Sequence, residues 1–587
     1  MTARRVAPHR SLVLLPMPRR LLYGDGECRV SGAAGRADVR VDPASVPQVQ
    51  GYELTIDAAG VRIAAHDEAG AFYGRQTLGQ IVRQTPEGKP LPCLRITDWP
   101  DFANRGVMLD ISRDKVPTMA TIEALVDLLA SWKVNQFQLY TEHTFAYPGH
   151  EVVWRDASPM TAEEIRHLDA YAKERFVELV PNQNSFGHLH RWLKHAAYRG
   201  LAETAEAIEH PFTPGVKEPF SLCPTDPQAV RFLEGLYDAL LPNFSSRLFN
   251  VGCDETFDIG MGRSAGECVA RGKGRVYLDF LLEIRRLAAA HGRQTMFWAD
   301  IIHHHPELMA ELPKDMIPLE WGYGEYHPFE ARCARLAEAG LDFYVCPGTS
   351  SWNSFVGNTA NAVGNIRAAS HLGRRAGAIG LLNTDWGDNG HLQPLPVSYL
   401  GFACGAAMSW AYAANQTLDL PAALDLLAFG DRSGVMGRLA WDLGNTYLHA
   451  QAPLFDMVIH PEWPRSHKRL ESLTVEGLTA ALEHVRRTMA ALDRADMQIA
   501  DAALVAEEFR FASSLVVHAC NLGLARCEGS GERVADLAAP VRRRLAEELE
   551  PIVAAYRRVW LARNREGGRA DSVRRLERLL SAYTAGR

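Results

Sequence analysis

Closely spaced cysteine pairs are missing from this chain. Its ten cysteines are scattered, and none of them forms a Cys-x-x-Cys pair or a zinc-ribbon spacing. Structural zinc sites and thioredoxin-like redox motifs depend on such spacing, so the sequence argues against both. Scattered cysteines of this kind favour buried free thiols in a reducing compartment.

Long apolar runs are also missing. No stretch reaches the ~20 apolar residues that a membrane span requires. Near the N-terminus, three arginines accompany the apolar stretch Ser11–Leu15, which is shorter than the hydrophobic region of a secretory signal and is followed by Pro16 and Pro18. We therefore expect a cytoplasmic protein with no membrane partner.

An excess of basic residues, which a nucleic-acid-binding face requires, is absent as well. The formal net charge is −7, and the 587 residues are 47% hydrophobic and 23% charged, as in ordinary soluble globular proteins. That length exceeds what one hydrophobic core usually supports. We therefore expect several domains and no nucleic-acid partner.

Residues 1–100 predict an N-terminal α+β domain. Tyr52–Ile56 and Val61–Ala65 alternate as strands do, and the residues between them have turn composition. Residues 68–84 then place apolar side chains at helical spacing. Pro100 interrupts the pattern and marks the predicted boundary.

Residues 101–415 predict a closed (β/α)8 barrel. Eight short apolar segments, typical of buried parallel strands, alternate with amphipathic helical stretches. The rival arrangement, an open doubly wound sheet, usually has a glycine-rich phosphate turn after an early strand, and none is present. The predicted strands are Val107–Ile111, Gln136–Tyr140, Val177–Pro181, Leu248–Gly252, Gln294–Ala299, Ile317–Trp321, Asp342–Cys346 and Ala378–Thr384.

The strand patterns end after about residue 415. From there, apolar residues recur at every third and fourth position, so residues 416–587 predict a C-terminal helical domain. Its basic residues from Arg557 onward are interpreted as a solvated helix face.

Polar and aromatic residues follow the C-terminal ends of the predicted barrel strands. Active sites of such barrels lie at that end. Only Arg105 stands at the start of its strand. The others are Asp110, Ser112, Arg113, Tyr140, Glu142, His143, Asn182, Asn184, His188, Asp254, Glu255, Trp298, Asp300, Glu320, Trp321, Trp352, Asn353, Asp385, Trp386 and Asp388.

This composition predicts a sugar site. Indole rings stack on the apolar face of a pyranose, while carboxylates, amides and guanidinium groups bind its hydroxyls. Cleavage of a glycosidic bond needs a protonated acid near the leaving oxygen and a group that stabilises an oxocarbenium-like centre. Asp254 and Glu255 are the predicted catalytic pair, because coupled carboxylates push their pKa values apart and keep one protonated.

The order of these motifs resembles glycoside hydrolase family 20, the β-N-acetylhexosaminidases, in a divergent form. The resemblance extends over much of the first 390 positions. It is carried by the segments YELTI and VRIAAHDEAGAFYGRQTLGQI, DWPDFANRGVMLDISRD, VELVPNQNSFGH, NVGCDET, FWAD and TDWGD.

The resemblance implies an exo-acting retaining hydrolase that removes a terminal β-linked N-acetylhexosamine, with the acetamido oxygen of the substrate as nucleophile. It implies Glu255 as general acid and base, and Asp254 as the group that orients the acetamido N–H. The substrate-binding residues that we predict are Arg105, Glu142, His188, Trp298, Trp321, Trp352, Trp386 and Asp388. We expect a glycan partner, no cofactor and no metal, and leave a homodimer open.

Three departures from the family pattern are visible. The segment after the second strand reads YTEHTF, so either Glu142 or His143 takes the role of the usual acidic residue. Cys253 stands where a glycine is usual. No tyrosine for the acetamido oxygen is evident, and GTSSWNS stands near its place.

Several alternatives stay open at this point. Trp298 and Trp321 could be barrel packing, Arg113 could be a structural partner of Asp110, and His188 could only hold its loop. The run His303–His305 is a poor metal site, since successive helical residues diverge by ~100°. A glycosidase or transglycosylase for another sugar, and a carbohydrate-binding protein without activity, are the alternative functions.

Overall fold

The computed structural model describes residues 12–29, 37–204, 206, 208–209, 217–529 and 532–584. The N-terminal arginines and Ser11, on which the expectation about a secretory signal depends, lie outside these ranges. Among the described residues, no helix combines the length and the apolar character needed to cross a membrane.

A five-stranded sheet with one helix precedes the barrel. The helix α1 packs on β3 and β4, and the predicted hairpin is β3 and β4, paired antiparallel with Tyr52 opposite Ala65. The strand order is β1-β5-β3-β4-β2. The elements are β1 Arg20–Cys28, β2 Asp38–Val41, β3 Tyr52–Asp57, β4 Gly60–Ala65, α1 Glu68–Gln84 and β5 Leu91–Asp98.

Eight parallel strands then form a (β/α)8 barrel, as the sequence predicts. A parallel bridge between Asn182, just beyond β8, and Asn250, the last residue of β11, closes the sheet. Two short strands, β9 Ile208–Glu209 and β10 Lys217–Glu218, form a separate hairpin. The barrel strands are β6 Asn104–Asp110, β7 Gln136–Tyr140, β8 Glu178–Val180, β11 Leu248–Asn250, β12 Gln294–Trp298, β13 Ile317–Trp321, β14 Tyr344–Cys346 and β15 Gly380–Asp385.

The helices of the barrel region connect these strands. Their ends follow ordinary capping chemistry: Thr161, for example, forms a capping box with Glu164 at the start of α4. They are α2 Met119–Ser131, α3 Glu151–Trp154, α4 Ala162–Lys173, α5 His190–Leu193, α6 Ala196–Arg199, α7 Pro227–Leu240, α8 Ala265–Arg271, α9 Lys273–Ala290, α10 Asp300–His304, α11 Phe329–Glu338, α12 Thr359–Arg375, α13 Tyr399–Trp410 and α14 Tyr412–Asn415.

Among the described residues after 415, helices are the only regular elements, in agreement with the predicted end of the strands. They are α15 Leu420–Leu427, α16 Met436–Leu443, α17 Thr446–Ala450, α18 Leu454–Ile459, α19 Val475–Met489, α20 Ala502–Glu528, α21 Ala539–Arg563 and α22 Arg569–Thr584.

The barrel interior is packed rather than hollow. Met108, Val180, Met296, Leu319 and Leu382 are fully buried inside the strands, in one cluster with the site's aromatic residues. Large side chains that fill the barrel give its rim a fixed floor.

Buried polar contacts join the three regions. Asp98 of the N-terminal sheet accepts hydrogen bonds from Lys133 Nζ at 3.1 Å and from Trp410 Nε1 at 2.9 Å. On the other side, Thr118 N of the barrel donates to the carbonyl of Arg563 in α21 at 2.9 Å. The division into residues 1–100, 101–415 and 416–587 stays a prediction about folding units.

Candidate active site

The loop that follows β11 carries the predicted catalytic pair in an unusual backbone conformation. Cys253 has a φ of 70° and Glu255 a φ of 51°, in the left-handed region that non-glycine residues avoid. Gly252 also has a positive φ of 69°, and a Cβ there would lie 2.5 Å from Asn184 Cγ. Each non-glycine residue held this way costs roughly 1–3 kcal/mol and persists only where its surroundings enforce it.

Asp254 is buried and held from two sides. Its Oδ1 accepts a hydrogen bond from Asn184 Nδ2 at 2.8 Å, and His188 Nε2 lies 3.2 Å from its Oδ2. Burial by itself would raise the pKa of Asp254, but the charge of His188 and the hydrogen bond from Asn184 bring the pKa below its ordinary value. Asp254 is therefore an anion at neutral pH.

Glu255 is the more accessible of the two carboxylates. Its side chain is 25% exposed, and its Oε2 lies 3.3 Å from His188 Nε2. The side chain of Asp254, by comparison, is 9% exposed. Glu255 is thus the carboxylate of the pair that is more open to solvent.

His188 links the two carboxylates electrostatically. Although burial lowers the pKa of this imidazole, the charge of Asp254 and the nearby Glu255 raise it to about 10. Its Nε2 is near both carboxylates by distance but aligned as a hydrogen-bond donor with neither. Donor atoms of the three side chains lie within 4.8 Å of one another, close enough for a metal ion, and the imidazolium supplies a positive charge between the carboxylates.

A second group of charges lies around Arg113. Its guanidinium is 3.2 Å from Asp110 Oδ2, 3.3 Å from Glu142 Oε1 and 4.0 Å from Asp388 Oδ1. It also lies over the rings of Tyr140, at 4.7 Å, and Trp386, at 5.0 Å. These contacts hold the pKa of Arg113 well above its ordinary value against the effect of burial.

The carboxylates around Arg113 have perturbed titration. Burial raises the pKa of Glu142, and the charge of Arg113 offsets part of that effect. Desolvation likewise raises the pKa of Asp388 to about 6, with Arg113 opposing and Asp110 reinforcing the rise. Of the two candidates after β7, Glu142 is the one that contacts Arg113. Burial and nearby positive charges, including that of Arg113, lower the pKa of His143 well below its ordinary value.

Aromatic rings form one wall of the site. The centroid of Trp386 lies 6.0 Å from that of Trp298 and 4.8 Å from that of Tyr140. Trp321 stacks on Tyr323 at 5.2 Å, and Trp352 meets Tyr323 edge-on at 5.0 Å. The four predicted tryptophans therefore come together at the same end of the barrel as Asp254.

Sequence reasoning missed Tyr323 as a member of this wall. Its hydroxyl accepts a hydrogen bond from Trp386 Nε1 at 2.7 Å, so it lies among the predicted residues. The only available signal was its place two residues beyond the end of β13, between Gly322 and Gly324. Thr349 and Ser351 of the GTSSWNS segment instead bond Asp385 Oδ1, each at 2.5 Å.

The prediction for Arg105 was wrong. Arg105 lies at the start of β6, and its guanidinium donates to the carbonyls of Phe102 and Lys133, each at 2.8 Å, below the rings of Tyr73 and Trp410. A strand rises about 3.3 Å per residue, so the first and last residues of β6 lie at opposite ends of the barrel. Arg113, beyond the other end of β6, lies where Arg105 was expected.

Glu320, another residue predicted at the barrel rim, is paired with histidines. Glu320 is buried, and His303 Nε2 lies 2.5 Å and His327 Nε2 2.8 Å from its carboxylate oxygens. His303 is therefore the ion-pair partner of Glu320 when its ring is protonated.

Several buried polar atoms of the site have no hydrogen-bond partner in the described part of the protein. They are Trp298 Nε1, Trp321 Nε1, Asp300 Oδ1 and His188 Nε2. Buried donors and acceptors are normally satisfied, so a cluster of unsatisfied ones indicates the place of a polar ligand.

Comparison with protein families agrees with this geometry. Residues 102–361 match the model for the catalytic domain of glycosyl hydrolase family 20, and residues 26–99 match the model for domain 2 of the same family. Together these two segments cover more than half of the chain. The chain belongs to glycosyl hydrolase family 20.

Relatives within family 20 are distant. A beta-hexosaminidase of Porphyromonas gingivalis is 26% identical over 294 residues, which are 45% of this chain and 37% of that protein. A beta-hexosaminidase of Akkermansia muciniphila is 28% identical over 229 residues, 35% of this chain and 45% of that protein. The chain thus matches less than half the length of these two relatives.

Solved structures of family 20 share the fold. The X-ray structure of a Flavobacterium johnsoniae chitobiase aligns with a TM-score of 0.59 at 18% identity, covering 93% of this chain and 99% of that one. A Streptomyces plicatus N-acetyl-beta-hexosaminidase aligns with a TM-score of 0.55 at 19% identity, covering 73% and 95%. At such identities the likeness describes the fold.

Proposed function

We propose that this protein is an exo-acting, retaining β-N-acetylhexosaminidase that removes terminal β-linked GlcNAc or GalNAc by substrate-assisted catalysis. The observation that carries the proposal is the Asp254–His188–Glu255 arrangement beside a wall of four tryptophans. Membership of family 20 and the names of its hexosaminidase relatives support the same activity.

Glu255 acts first as general acid and then as general base. Its partial exposure lets it reach the glycosidic oxygen, and proton transfer by a positioned acid typically contributes ~10²–10⁴-fold to the rate. The imidazolium of His188, 3.3 Å away, stabilises the carboxylate that forms when the proton leaves. In the second step Glu255 accepts a proton from the attacking water.

Asp254 acts on the acetamido group of the substrate. An amide oxygen attacks an anomeric carbon only when it is held close to that carbon and its N–H is polarised, and proximity of this kind can supply several kcal/mol. The buried, anionic Asp254 accepts that N–H and stabilises the positive charge that develops on the ring-fused intermediate. Asn184 keeps its carboxylate oriented at 2.8 Å.

The aromatic wall encloses the acetamido group and the sugar ring. Tyr323 OH already accepts from Trp386 Nε1, which leaves its own hydroxyl hydrogen for an acceptor such as the acetamido oxygen. Arg113, Glu142 and Asp388 bind ring hydroxyls at the other side.

We also propose that the protein is located in a reducing compartment, the cytoplasm. The ten cysteines are all free, which supports this location.

A panel of aryl glycosides tests the activity. Wild-type protein is expected to hydrolyse aryl β-GlcNAc or β-GalNAc and to leave the aryl β-glucoside intact, because the latter lacks the acetamido nucleophile. Glu255→Gln is expected to lose at least ~100-fold in turnover of substrates with poor leaving groups. Equal turnover of the glucoside, or normal activity of Glu255→Gln, would contradict the proposal.

The mechanism has a separate test. A thiazoline mimic of the intermediate is expected to inhibit the wild type strongly and Asp254→Asn much less. Mass spectrometry with a 2-fluoro glycoside that lacks the acetamide is expected to show no adduct. A covalent adduct on any carboxylate would establish a two-carboxylate mechanism instead.

A further inference from the structure

Two side chains accept backbone N–H groups of the strained loop that carries the catalytic pair. Asn184 Oδ1 accepts from Cys253 N at 3.2 Å, and Asp300 Oδ2 accepts from Glu255 N at 2.9 Å. The second bond holds the residue with a φ of 51° itself, directly at the backbone from which the acid side chain projects. A residue that leaves the left-handed region changes the direction of its side chain, so this bond determines where the Glu255 carboxyl group points.

Asp300 comes from a different part of the fold. It is the first residue of α10, directly beyond β12, whereas Glu255 follows β11. The two strands are neighbours in the barrel, and Val251 N donates to the Met296 carbonyl just before both loops begin. Asp300 therefore ties the acid to the packed barrel wall, which is the kind of rigid support that a catalytic group requires.

We propose that Asp300 is a positioning residue that holds the Glu255 carboxyl group in its catalytic orientation through the Glu255 backbone N–H. This inference rests on the proposed role of Glu255 as acid and base. Asp300 itself does not exchange a proton with substrate.

The charge state of Asp300 agrees with a positioning role. Burial and the negative charge of Asp254 raise the pKa of Asp300 to about 8, so at neutral pH its carboxyl group is mostly uncharged. A neutral acceptor holds the N–H without adding a third negative charge beside the catalytic pair. The charged and titratable groups that face Asp300 are Asp254, Glu255, Cys253, Tyr277 and, through Asp254, His188.

Two variants separate the acceptor from the charge. Asp300→Asn keeps an oxygen that can accept the Glu255 N–H and mimics the neutral acid, so kcat is expected to stay within about 5-fold of the wild type. Asp300→Leu keeps the branched shape of the side chain but removes the acceptor, so kcat on poor-leaving-group substrates is expected to fall at least ~30-fold with KM changed less than about 3-fold. On substrates with good leaving groups, which need little protonation, kcat of Asp300→Leu is expected to fall much less.

Asp258→Asn and Asp258→Leu are the matched controls. Asp258, three residues after Glu255 in the same loop, is also buried and accepts a backbone N–H, that of Ser221 at 3.0 Å, and among the described residues no hydrogen bond joins its side chain to Glu255. Loss of turnover in its Leu variant is expected to be independent of the leaving group. Crystal structures of the two Asp300 variants supply a second readout, the φ of residue 255. This angle is expected to be unchanged in Asp300→Asn and altered in Asp300→Leu.

The outcomes are distinct. Normal kcat on poor leaving groups in Asp300→Leu, or an unchanged φ of residue 255 in that variant, would overturn the proposal. Equal losses of kcat in Asp300→Asn and Asp300→Leu would also overturn the proposal, because they would assign a direct role to the carboxyl group of Asp300. If the wild type cleaves a different glycoside, the proposed function fails, but the φ readout still tests the positioning role.

Discussion

At the scale of single residues, Arg113 illustrates how its neighbours hold one charged side chain in place. It is enclosed by two aromatic rings and faces three carboxylates, so its planar group is fixed before substrate arrives. A fixed guanidinium loses little entropy on binding a hydroxyl. The open question of whether Arg113 is only a partner of Asp110 can be tested directly.

Arg113→Lys is expected to lower kcat/KM about 10-fold or more. A hydrogen bond to a charged group contributes roughly 1.5–3 kcal/mol, and lysine cannot reproduce the fork. The measurement is a comparison of the variant and the wild type on substrates that lack one ring hydroxyl at a time. For the substrate that lacks the hydroxyl bound by Arg113, the substitution should cause little further loss of kcat/KM. If the losses of kcat/KM from the substitution and from the missing hydroxyl add fully for every deoxy substrate, Arg113 has a structural role only.

The titration of Asp300 predicts a pH dependence of stability. A carboxyl group titrates near 3.9 in the unfolded chain but at about 8 in the folded protein. The folded state therefore holds the extra proton between these values, and the wild type loses stability relative to Asp300→Asn as pH rises through that window.

Melting temperatures measured from pH 4 to pH 9 check this expectation. The difference between Asp300→Asn and wild type should grow in favour of the variant up to about pH 8 and then level off. Asp315→Asn is the control, because Asp315 lies on the surface with a side chain 57% exposed. A difference that does not change with pH would show that Asp300 has no raised pKa.

At this scale the sequence predicts residue types better than positions. Asp254, Glu255, His188 and the tryptophans could be found because they follow strand ends, and strand ends meet at one rim. The prediction for Arg105 was wrong because its side chain donates hydrogen bonds to carbonyls at the opposite end of the barrel. Motif similarity does not contain this three-dimensional information. Tyr323 was missed because its role depends on a contact with Trp386, 63 residues away.

At the scale of elements, the loop between β11 and α8 is the part that sequence patterns describe least. Apolar periodicity predicts β7 and β13 with their observed bounds, because buried strands have a strong pattern. The loop conformation depends instead on buried acceptors from elsewhere. One of these is Glu203, fully buried, which accepts from the backbone N–H groups of Gly260, Gly262 and Ser264 at 3.2, 3.0 and 3.1 Å.

Glu203→Gln is expected to destabilise the protein by about 2–3 kcal/mol, because an amide N–H₂ would meet backbone donors and charge-assisted bonds would be lost. Chemical denaturation gives the free energy of unfolding. Glu234→Gln on the exposed face of α7 is the matched control and should be neutral. Equal stability of the two variants would show that Glu203 does not anchor the loop.

At the scale of the whole molecule, the C-terminal helices support the active-site rim. Asp114, next to Arg113, accepts hydrogen bonds from Arg191 at 2.6 Å and from Arg575 of α22 at 3.0 Å. The Gly568 backbone packs so closely that a Cβ there would lie 1.7 Å from the Asp114 carbonyl. Sequence periodicity predicts that these helices exist, but not that they contact this loop.

Arg575→Ala is therefore expected to affect substrate binding at a distance. Loss of one of the two guanidinium partners of Asp114 should loosen the Arg113 loop and raise KM a few-fold, with a smaller effect on kcat. Arg574→Ala is the control, since Arg574 is 64% exposed and pairs only with Asp571 among the described residues. Equal KM values for the two variants would show that the contact of Arg575 with Asp114 does not affect substrate binding.

The four tryptophans of the pocket have a spectroscopic consequence. Indole rings as close as Trp298 and Trp386, with centroids 6.0 Å apart and planes tilted by 51°, couple their electronic transitions. A sugar seated against them would change both their fluorescence and the near-ultraviolet circular dichroism of the protein. Occupancy of the pocket can thus be followed optically without a label, even in variants that no longer turn over substrate.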